Sequence, residues 1–160
     1  MGRSSRECRL CVEVYGAEQP LPAEWAEVAT AAREACKGSY APYSGFSVGA
    51  AVELVDGTLV QGANQENGAY PSGLCAERVA LFGAMARGDR KAVRRMAIAA
   101  RRGEAWVQSP VTPCGACRQV MLEVVQMQRA AFAVLMLGER ESLVVQDARE
   151  LLPLAFDLEG

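Results

Sequence analysis

Two stretches of this chain of 160 residues say most about its fold and its chemistry. They are CAE at residues 75–77 and PCGAC at residues 113–117. Between them they offer three cysteine thiolates and one carboxylate. A zinc ion held by three protein ligands keeps a fourth position open for water, as catalytic rather than structural sites do. A carboxylate two residues after a ligand, at the start of a helix, can reach that water without binding the metal. The two stretches therefore predict an open zinc site whose ligands and acid–base group are Cys75, Cys114, Cys117 and Glu77.

Five blocks of sequence, in one order and at matching spacing, resemble the small homotetrameric cytidine deaminases. They are YAPYSGFSVGAA (40–51), NQENGAY (64–70), CAER (75–78), PCGACRQ (113–119) and LLPLAF (151–156). The resemblance covers residues 22 to 157, and zinc deaminases of this kind use three Cys, or one His and two Cys, beside a Glu. It implies one Zn²⁺ per chain and the hydrolysis of cytidine and 2′-deoxycytidine to uridine and 2′-deoxyuridine, a reaction of pyrimidine salvage.

The resemblance also implies how the pyrimidine base is held and converted. Glu77 takes a proton from the attacking water, passes it to ring N3 and then protonates the departing amine. The Ala76 N–H faces the pyrimidine O2, and the Thr112 carbonyl faces the leaving amine. Pro113 biases Thr112 towards extended geometry, which helps to present that carbonyl. The matching aromatic that packs on the base is Phe46.

Two further groups concern the sugar and the charge of the metal centre. Asn64 and Glu66 stand two apart on an extended segment, so their side chains are expected to point the same way. In the family the matching pair holds the ribose hydroxyls. Three thiolates on Zn²⁺ leave a formal charge of −1, which raises the pKa of a bound water. Arg78 is expected to compensate for this charge, since in similar deaminases the matching arginine hydrogen-bonds the ligand sulfurs.

The resemblance implies a homotetramer in which neighbouring subunits complete each site. Phe156 matches a phenylalanine that enters a neighbouring subunit's active site, and Tyr70 matches another residue contributed across the interface. Gly68 stands where the family commonly has alanine, and it is expected to contact the ribose 5′ side of a neighbouring subunit's substrate through its backbone.

The composition fits one globular domain in a reducing compartment. With 51% hydrophobic residues the chain can form a packed core, and we expect an N-terminal extension over residues 1–20 before a single catalytic domain over residues 21–160. The absence of histidine excludes Ser-His and Cys-His catalysis. The first ten residues have no apolar core of a secretory signal. We expect a cytoplasmic protein, because cysteines stay reduced there and are available to a metal.

We expect a small nucleoside as the partner, and neither nucleic acid nor a membrane. A net charge of −2 exerts no general attraction on nucleic acid. The one basic cluster lies between residues 87 and 102, where a helix end meets a strand and arginines usually decorate solvated loops. The longest apolar run, residues 130–137, is too short to span a bilayer.

The pattern of apolar residues predicts an α/β fold in three layers, α/β/α, around a mixed sheet of about five strands. Asp56-Gly57 between two β-branched runs is a strong hairpin signal. A short strand near residues 10–15 is expected to carry Cys8 and Cys11 as incidental thiols. The predicted helices cover residues 22–37, 73–87 and 115–127, and the main strands cover 47–55, 58–61, 93–100, 132–137 and 142–145.

Three alternatives remain open from the sequence. A structural zinc module would need a fourth cysteine, for which Cys36 is the only plausible donor outside the N-terminal tail. A thioredoxin-like reading of the Cys114–Cys117 pair needs no metal. A blasticidin-type antibiotic deaminase shares this core but lacks the Asn-x-Glu-Asn block. The sequence does not separate cytidine from 2′-deoxycytidine, since the predicted sugar pair addresses a hydroxyl that both share.

Overall fold

The structure is a computed structural model that describes residues 3–5 and 7–156, and this part of the chain forms seven strands and three α-helices. The strands are β1 (Glu13–Gly16), β2 (Phe46–Leu54), β3 (Leu59–Ala63), β4 (Val93–Arg102), β5 (Ala105–Trp106), β6 (Ala133–Met136) and β7 (Glu141–Val145). The helices are α1 (Ala26–Ala35), α2 (Ala76–Met85) and α3 (Gly115–Gln128). Short 3₁₀ helices cover Ala23–Trp25, Cys36–Gly38, Tyr70–Ser72 and Ala148–Leu151. The predicted catalytic domain runs to residue 160, so its last four residues lie outside the described part.

The strands form one mixed sheet in the order β1-β7-β6-β4-β2-β3, with β5 paired to β4. The pair β4·β6 is parallel, and the other pairs are antiparallel. β2 and β3 are joined by the hairpin predicted at Asp56-Gly57, where Gly57 has a φ of 85°. A left-handed φ is easily adopted by glycine alone, which explains why the Asp-Gly pair marked this turn.

Helices cover both faces of the sheet, so the predicted three-layer α/β/α architecture is confirmed. Successive residues of a strand point to opposite faces. On β2, Ala50 and Val52 therefore pack with α2 and α3, whereas Ala51 packs with α1. The two buried clusters formed in this way are the apolar cores on either side of the sheet.

The sheet has seven strands, which corrects the expected number of about five. β5 is only two residues long and follows a tight turn at Gly103, whose φ is 55°. So short a strand is created by the turn and leaves no alternating pattern to detect. β1 pairs with β7 but begins at Glu13, so the exposed Cys8 and Cys11 precede it and are not part of the strand. The division into an extension and a catalytic domain at residue 20 stays a prediction.

Two glycines allow the helices to approach the sheet closely. A Cβ at Gly62 of β3 would lie 2.4 Å from the Ala80 nitrogen of α2. A Cβ at Gly49 of β2 would lie 2.2 Å from the Ala32 oxygen of α1. Both neighbouring atoms belong to helix backbones, which cannot move aside as a side chain can. Gly62 thereby determines how α2, which begins just after Cys75, sits on the sheet.

The basic cluster between residues 87 and 102 is largely paired with carboxylates at the surface. Arg94 and Arg95 both bind Glu53, and Arg101 lies 3.5 Å from Glu104. The Arg94–Glu53 and Arg101–Glu104 pairs each have one well-exposed partner and contribute little to stability, whereas both side chains of the Arg95–Glu53 pair are largely buried. Within the part of the chain that the structure describes, every helix is too short or too polar to cross a membrane.

Candidate active site and metal centre

A cleft of about 630 Å³ opens where the turn before β2 and the segment after β3 face the N-terminal ends of α2 and α3. Helix N-termini carry unpaired N–H groups and the positive end of the helix dipole, which favour anionic groups. The structure brings most of the predicted site residues to this one place. Those that line the cleft are Asn64, Glu66, Tyr70, Cys75, Ala76, Glu77, Arg78, Thr112 and Cys114.

The three predicted ligand sulfurs converge at the ends of two helices. Cys75 is the N-cap residue of α2, Cys114 is the N-cap residue of α3, and Cys117 lies in the first turn of α3. The Sγ atoms of Cys75 and Cys114 are 3.8 Å apart, those of Cys114 and Cys117 are 3.4 Å apart, and all three lie within 4.8 Å of one another. Tetrahedral zinc with Zn–S bonds of about 2.3 Å separates its sulfurs by about 3.8 Å. The donor set therefore fits one zinc.

The described residues supply three ligands and no fourth, as an open site requires. No other His, Cys, Asp or Glu of residues 3–5 and 7–156 joins the group of three sulfurs. Cys36, the candidate fourth ligand of a structural module, is buried on the opposite face of the sheet, in the cluster around α1. Its thiol lies 3.6 Å from the Ala99 carbonyl oxygen and is packed in the core on that face. A closed four-cysteine site that includes Cys36 is therefore excluded.

The thiols of Cys75 and Cys117 shift each other's pKa, and Arg78 adds to the shift at Cys75. The pKa of Cys75 is lowered to about 5, chiefly because the Cys117 thiol donates to it and then because Arg78 lies beside it. The pKa of Cys117 is raised, since it serves as the donor to Cys75 and is buried. Thiolate is the form that binds metal, so this environment favours the ligand form at Cys75.

Arg78 lies in the first turn of α2, beside the three sulfurs. Its Nη2 lies 3.8 Å from the Cys75 sulfur and 3.5 Å from the Gly73 carbonyl oxygen. Its Nε is buried and finds no hydrogen-bond partner among the described residues. The guanidinium therefore stands where it can offset the negative charge of a thiolate cluster.

Glu77 is a buried carboxyl beside the sulfurs. It is the second residue of α2, and only 5% of its surface is exposed. Burial raises its pKa above the ordinary value, and the nearby Cys75 thiolate acts in the same direction. A carboxyl whose pKa is raised towards neutrality can both accept and return a proton near the operating pH.

Ala76 and Thr112, the two residues predicted to make main-chain contacts, both line the cleft. Ala76 is the first residue of α2, so its N–H has no acceptor within the helix. Thr112 lines the cleft just before Pro113. Arg118 braces this segment, because its Nε donates to the Pro113 oxygen at 2.8 Å and its Nη1 to the Leu151 oxygen at 3.2 Å. Sequence reasoning gave Arg118 no role, since its targets are backbone oxygens that no motif displays.

Glu66 is held by the turn that precedes β2, a contact the sequence did not reveal. Its Oε2 accepts hydrogen bonds from the backbone N–H groups of Tyr43 at 2.8 Å and Ser44 at 3.3 Å. The Ser44 side chain and the Tyr43 N–H lower the pKa of Glu66. Tyr43 and Ser44 also line the cleft, and they belong to the block at residues 40–51. The carboxylate is therefore ionised and fixed in direction.

Asn64 fastens the start of β2 to the segment that carries Glu66. Its Oδ1 accepts from the Val48 N–H at 2.8 Å and from the Ser39 hydroxyl at 2.6 Å, and its Nδ2 donates to the Phe46 oxygen at 2.9 Å. Nδ2 has a second proton, which is not used in these bonds. Asn64 thus both builds the wall of the cleft and keeps a donor for a ligand.

Phe46 stands apart from the other predicted substrate residues. It is not among the described residues that line the cleft, although it begins β2 two residues before Val48, which does line it. Its half-buried ring lies under the Arg102 guanidinium, 4.8 Å from the ring centre. The predicted contact with the base stays a prediction.

The three residues expected to act across a subunit interface lie at the surface. Tyr70 is 76% exposed and lines the cleft of its own chain, and its ring meets that of Tyr43 edge-on at 6.0 Å. Gly68 is beside them, because a Cβ there would lie 3.1 Å from the Tyr43 hydroxyl. Phe156 is 70% exposed, and its carbonyl accepts a hydrogen bond from Gln119 of α3. The single chain leaves all three available to a neighbour.

Comparison with known proteins agrees with this geometry. Residues 23–134 match the family model described as the cytidine and deoxycytidylate deaminase zinc-binding region. The chain is similar to the cytidine deaminase of Halalkalibacterium halodurans, with 41% identity over 126 residues that cover 79% of this chain and 89% of that relative.

Solved structures give the same result at the level of the fold. The crystal structure of cytidine deaminase from Burkholderia pseudomallei superposes with a TM-score of 0.67 at 37% identity, covering 82% of this chain and 98% of that one. The cytidine deaminase from Mycobacterium tuberculosis gives a TM-score of 0.65 at 33% identity, covering 86% and 100%. In each case nearly the whole of a deaminase chain is matched.

Proposed function

This chain belongs to the cytidine and deoxycytidylate deaminase family, and from that premise we propose that it hydrolyses cytidine and 2′-deoxycytidine to uridine and 2′-deoxyuridine with release of ammonia. The observation that carries the proposal is the meeting of three thiols and one buried carboxyl in a cleft whose opposite wall offers Asn64 and Glu66. A metal and a proton carrier at one end, with hydrogen-bonding groups at the other, suit a polar molecule that has a reactive ring and a sugar.

Cys75, Cys114 and Cys117 are the residues that hold the zinc ion. When bound there, zinc supplies Lewis acidity and brings the pKa of a water ligand towards neutrality. Arg78 assists by hydrogen-bonding the Cys75 sulfur, so that less negative charge remains to oppose ionisation of that water.

Glu77 moves the protons of the reaction. It accepts a proton from the attacking water and delivers it to N3 of the pyrimidine, which makes C4 more electrophilic. The remaining hydroxide adds to C4, and Glu77 then takes the proton of this new C4 hydroxyl. Glu77 gives that proton to the amino group, so that the C4 carbonyl forms as the C4–N bond breaks and ammonia leaves. Burial suits Glu77 to this work, because it raises the pKa of the carboxyl and keeps bulk water away from the proton.

The base is oriented by the main chain and by one aromatic ring. The Ala76 N–H is directed at the pyrimidine O2, and the Thr112 carbonyl accepts from the amino group at C4. Phe46 packs on the base. These backbone groups discriminate well, since an analogue that lacks either partner leaves a buried polar atom unpaired.

The sugar is held by Asn64 and Glu66, and the substrate is the nucleoside rather than its 5′-phosphate. Glu66 accepts from a ribose hydroxyl, and Asn64 offers its remaining amide proton. Of the Lys and Arg residues in the described part of the chain, only Arg78 lines the cleft, and it is directed at the sulfur of Cys75. A phosphate group would meet the Glu66 carboxylate without a cation to balance it.

The working form is a homotetramer whose neighbouring subunits share their sites through Gly68, Tyr70 and Phe156. The exposed aromatic rings of Tyr70 and Phe156 support this assembly, because large apolar side chains at a surface commonly mark an interface. The setting is the cytoplasm, where thiols remain reduced and available to zinc, and the reaction there is pyrimidine salvage.

The test is to add cytidine to the purified protein, follow the absorbance change on conversion to uridine, and quantify zinc on the same sample. We expect about one zinc per chain, as three ligands with one open position require, and steady conversion of cytidine. Cys114→Ala, which removes one ligand, should lose zinc and activity together. Stoichiometric zinc without conversion of cytidine or 2′-deoxycytidine would instead identify a non-catalytic zinc module.

A further inference from the structure

Arg102, the last residue of β4, makes contacts that differ from those of the other arginines near it. Its Nη1 donates to the Ser44 carbonyl oxygen at 3.2 Å, and its guanidinium lies 4.8 Å from the centre of the Phe46 ring. Phe46 is also its cross-strand partner on β2. No Asp or Glu within residues 3–5 and 7–156 forms an ion pair with it, whereas Arg101 is paired with Glu104. Arg102 is therefore directed at the turn that precedes β2.

Besides the bonds from Tyr43 and Ser44 to Glu66, two hydrogen bonds lie within the turn and its junction with β2. The Gly45 N–H donates to the Ala41 oxygen at 3.0 Å, and Gly45 has a left-handed φ of 62°. The Phe46 N–H donates to the Ser44 hydroxyl at 3.0 Å. Neither bond connects the turn to another element of the sheet. The Arg102 guanidinium does so, because it comes from β4 and binds the turn at Ser44.

The same turn orients a side chain of the proposed sugar site. Ser44 donates its backbone N–H to the Glu66 carboxylate and accepts from Arg102 through its carbonyl. The neighbouring Tyr43 N–H donates to the same carboxylate oxygen at 2.8 Å. A displacement of Ser44 would therefore change the direction in which Glu66 presents its carboxylate.

We propose that Arg102 is a positioning residue for Glu66, acting through the turn at residues 41–45. The inference rests on the proposed function, in which Glu66 accepts from a ribose hydroxyl. Arg102 is not among the described residues that line the cleft, and it is neither a proposed zinc ligand nor the proposed acid–base group. Its loss should weaken nucleoside binding and leave the chemical step intact.

The experiment measures KM and kcat for cytidine in wild type, Arg102→Gln, Arg102→Lys and the control Arg101→Gln. Arg102→Gln should raise KM about 3- to 10-fold, the size of one lost hydrogen bond together with a cation–π contact at an exposed site. Its kcat should stay within about twofold of wild type, since the acid–base group is untouched. Arg102→Lys should raise KM less, because it keeps the charge but loses the planar fork. Arg101→Gln should leave KM unchanged.

A double-mutant cycle with Glu66→Gln separates positioning from a general structural role. If Arg102 acts through Glu66, then adding Arg102→Gln to Glu66→Gln should lower kcat/KM by less than twofold, because coupled residues are not additive. Zinc content is measured for every variant.

Three outcomes would overturn the inference. An unchanged KM in Arg102→Gln, or a full additive loss of kcat/KM in the double variant, would mean that Arg102 stabilises only the end of the sheet and does not position Glu66. If Arg102→Gln fails to fold, an unchanged KM in Arg102→Lys has the same meaning. A wild-type protein inactive on cytidine would instead refute the proposed function, and this inference with it.

Discussion

At the scale of the residue, the pKa values of two glutamates in the same cleft are shifted in opposite directions. Burial raises the pKa of Glu77, because a charged carboxylate loses its hydration there. Hydrogen bonds from the Ser44 side chain and the Tyr43 N–H lower the pKa of Glu66. The first group is therefore suited to exchanging protons, and the second is suited to remaining an acceptor.

The first prediction concerns Glu77→Gln. This variant should bind zinc and fold normally but lose at least ~10²-fold in kcat, because one carboxyl carries several proton transfers. Its melting temperature should not fall, since the substitution removes a buried ionisable group. Turnover of cytidine, zinc content and thermal unfolding are measured on one preparation. A variant within tenfold of wild type would remove Glu77 from the mechanism.

The second prediction concerns Glu66→Gln and acid stability. A carboxyl whose folded-state pKa is lowered stabilises the protein above its ordinary pKa of 4.5 and loses that contribution as pH falls through the lowered value. The melting temperature of wild type should therefore exceed that of Glu66→Gln at neutral pH, and the difference should shrink as pH falls below 4.5.

A control for this measurement is Glu18→Gln, in the exposed turn after β1, which changes the net charge by the same amount. Thermal unfolding between neutral and acid pH is followed for the three proteins. A difference between wild type and Glu66→Gln that stays constant with pH would show that the carboxylate makes no charged hydrogen bonds to the turn.

At the scale of the element, the short helix α2 contributes residues both to the cleft and to the core. Its N-terminal end supplies Cys75, Ala76, Glu77 and Arg78 to the cleft, while Ala80, Leu81 and Ala84 are fully buried against the sheet. The position of the helix is determined by the close approach at Gly62. Displacement of this helix would therefore move a metal ligand and the acid–base group together.

The third prediction compares two Gly→Ala substitutions, one in β3 where a new methyl group has no room and one in α2 where it has room. At Gly62 the Cβ would lie 2.4 Å from a backbone atom of α2, so Gly62→Ala should destabilise the fold by about 1–3 kcal/mol and weaken zinc binding. At Gly83, within α2, the nearest atom is the Val60 side chain at an ordinary 3.5 Å. Gly83→Ala should stabilise by about 0.5–1 kcal/mol through helix propensity.

Denaturant unfolding gives the free energy of unfolding of both variants and of wild type, and zinc content is measured on the same samples. Equal stabilities for Gly62→Ala and wild type would show that α2 has room to move away from β3. A loss of zinc in Gly83→Ala equal to that in Gly62→Ala would show that close approach is not the cause.

At the scale of the whole molecule, the last described residues, 154–156, form an apolar segment that the core of the described residues does not cover. Leu154 is 88% exposed and Phe156 is 70% exposed, and both follow the 3₁₀ helix Ala148–Leu151. The cleft itself is open to solvent on the side of Tyr70. A symmetric assembly repeats each contact, so one such segment would complete every site.

The fourth prediction concerns truncation after Pro153. The shortened chain should form a smaller assembly and show a higher KM for cytidine, while zinc stays bound, because the metal ligands lie on α2 and α3. Phe156→Ala should reproduce most of the rise in KM, and Leu154→Ala should have a smaller effect. Sedimentation and steady-state kinetics are the measurements. A fully active monomer, or a truncated chain with unchanged KM, would refute the shared site.

The sequence by itself determined the chemistry of the metal centre and most of the elements around it. Cysteines and a glutamate at fixed spacing beside helix starts predicted a three-thiolate site, because ligands and helix ends depend on residues close together in the chain. The Asp56-Gly57 hairpin and the three helices were also predictable, since turn chemistry and apolar periodicity are local properties.

Only the tertiary structure decided which side chains hold the site in shape. The bonds from Tyr43 and Ser44 to Glu66, from Arg118 to Pro113 and Leu151, and from Arg102 to Ser44 all join backbone atoms to partners from other elements. Backbone groups are the same at every residue, so no sequence motif marks them as donors or acceptors. The burial that raises the pKa of Glu77 was hidden because it arises from packing between distant parts of the chain, whereas the two-residue strand β5 was hidden because it is too short to show an alternating pattern.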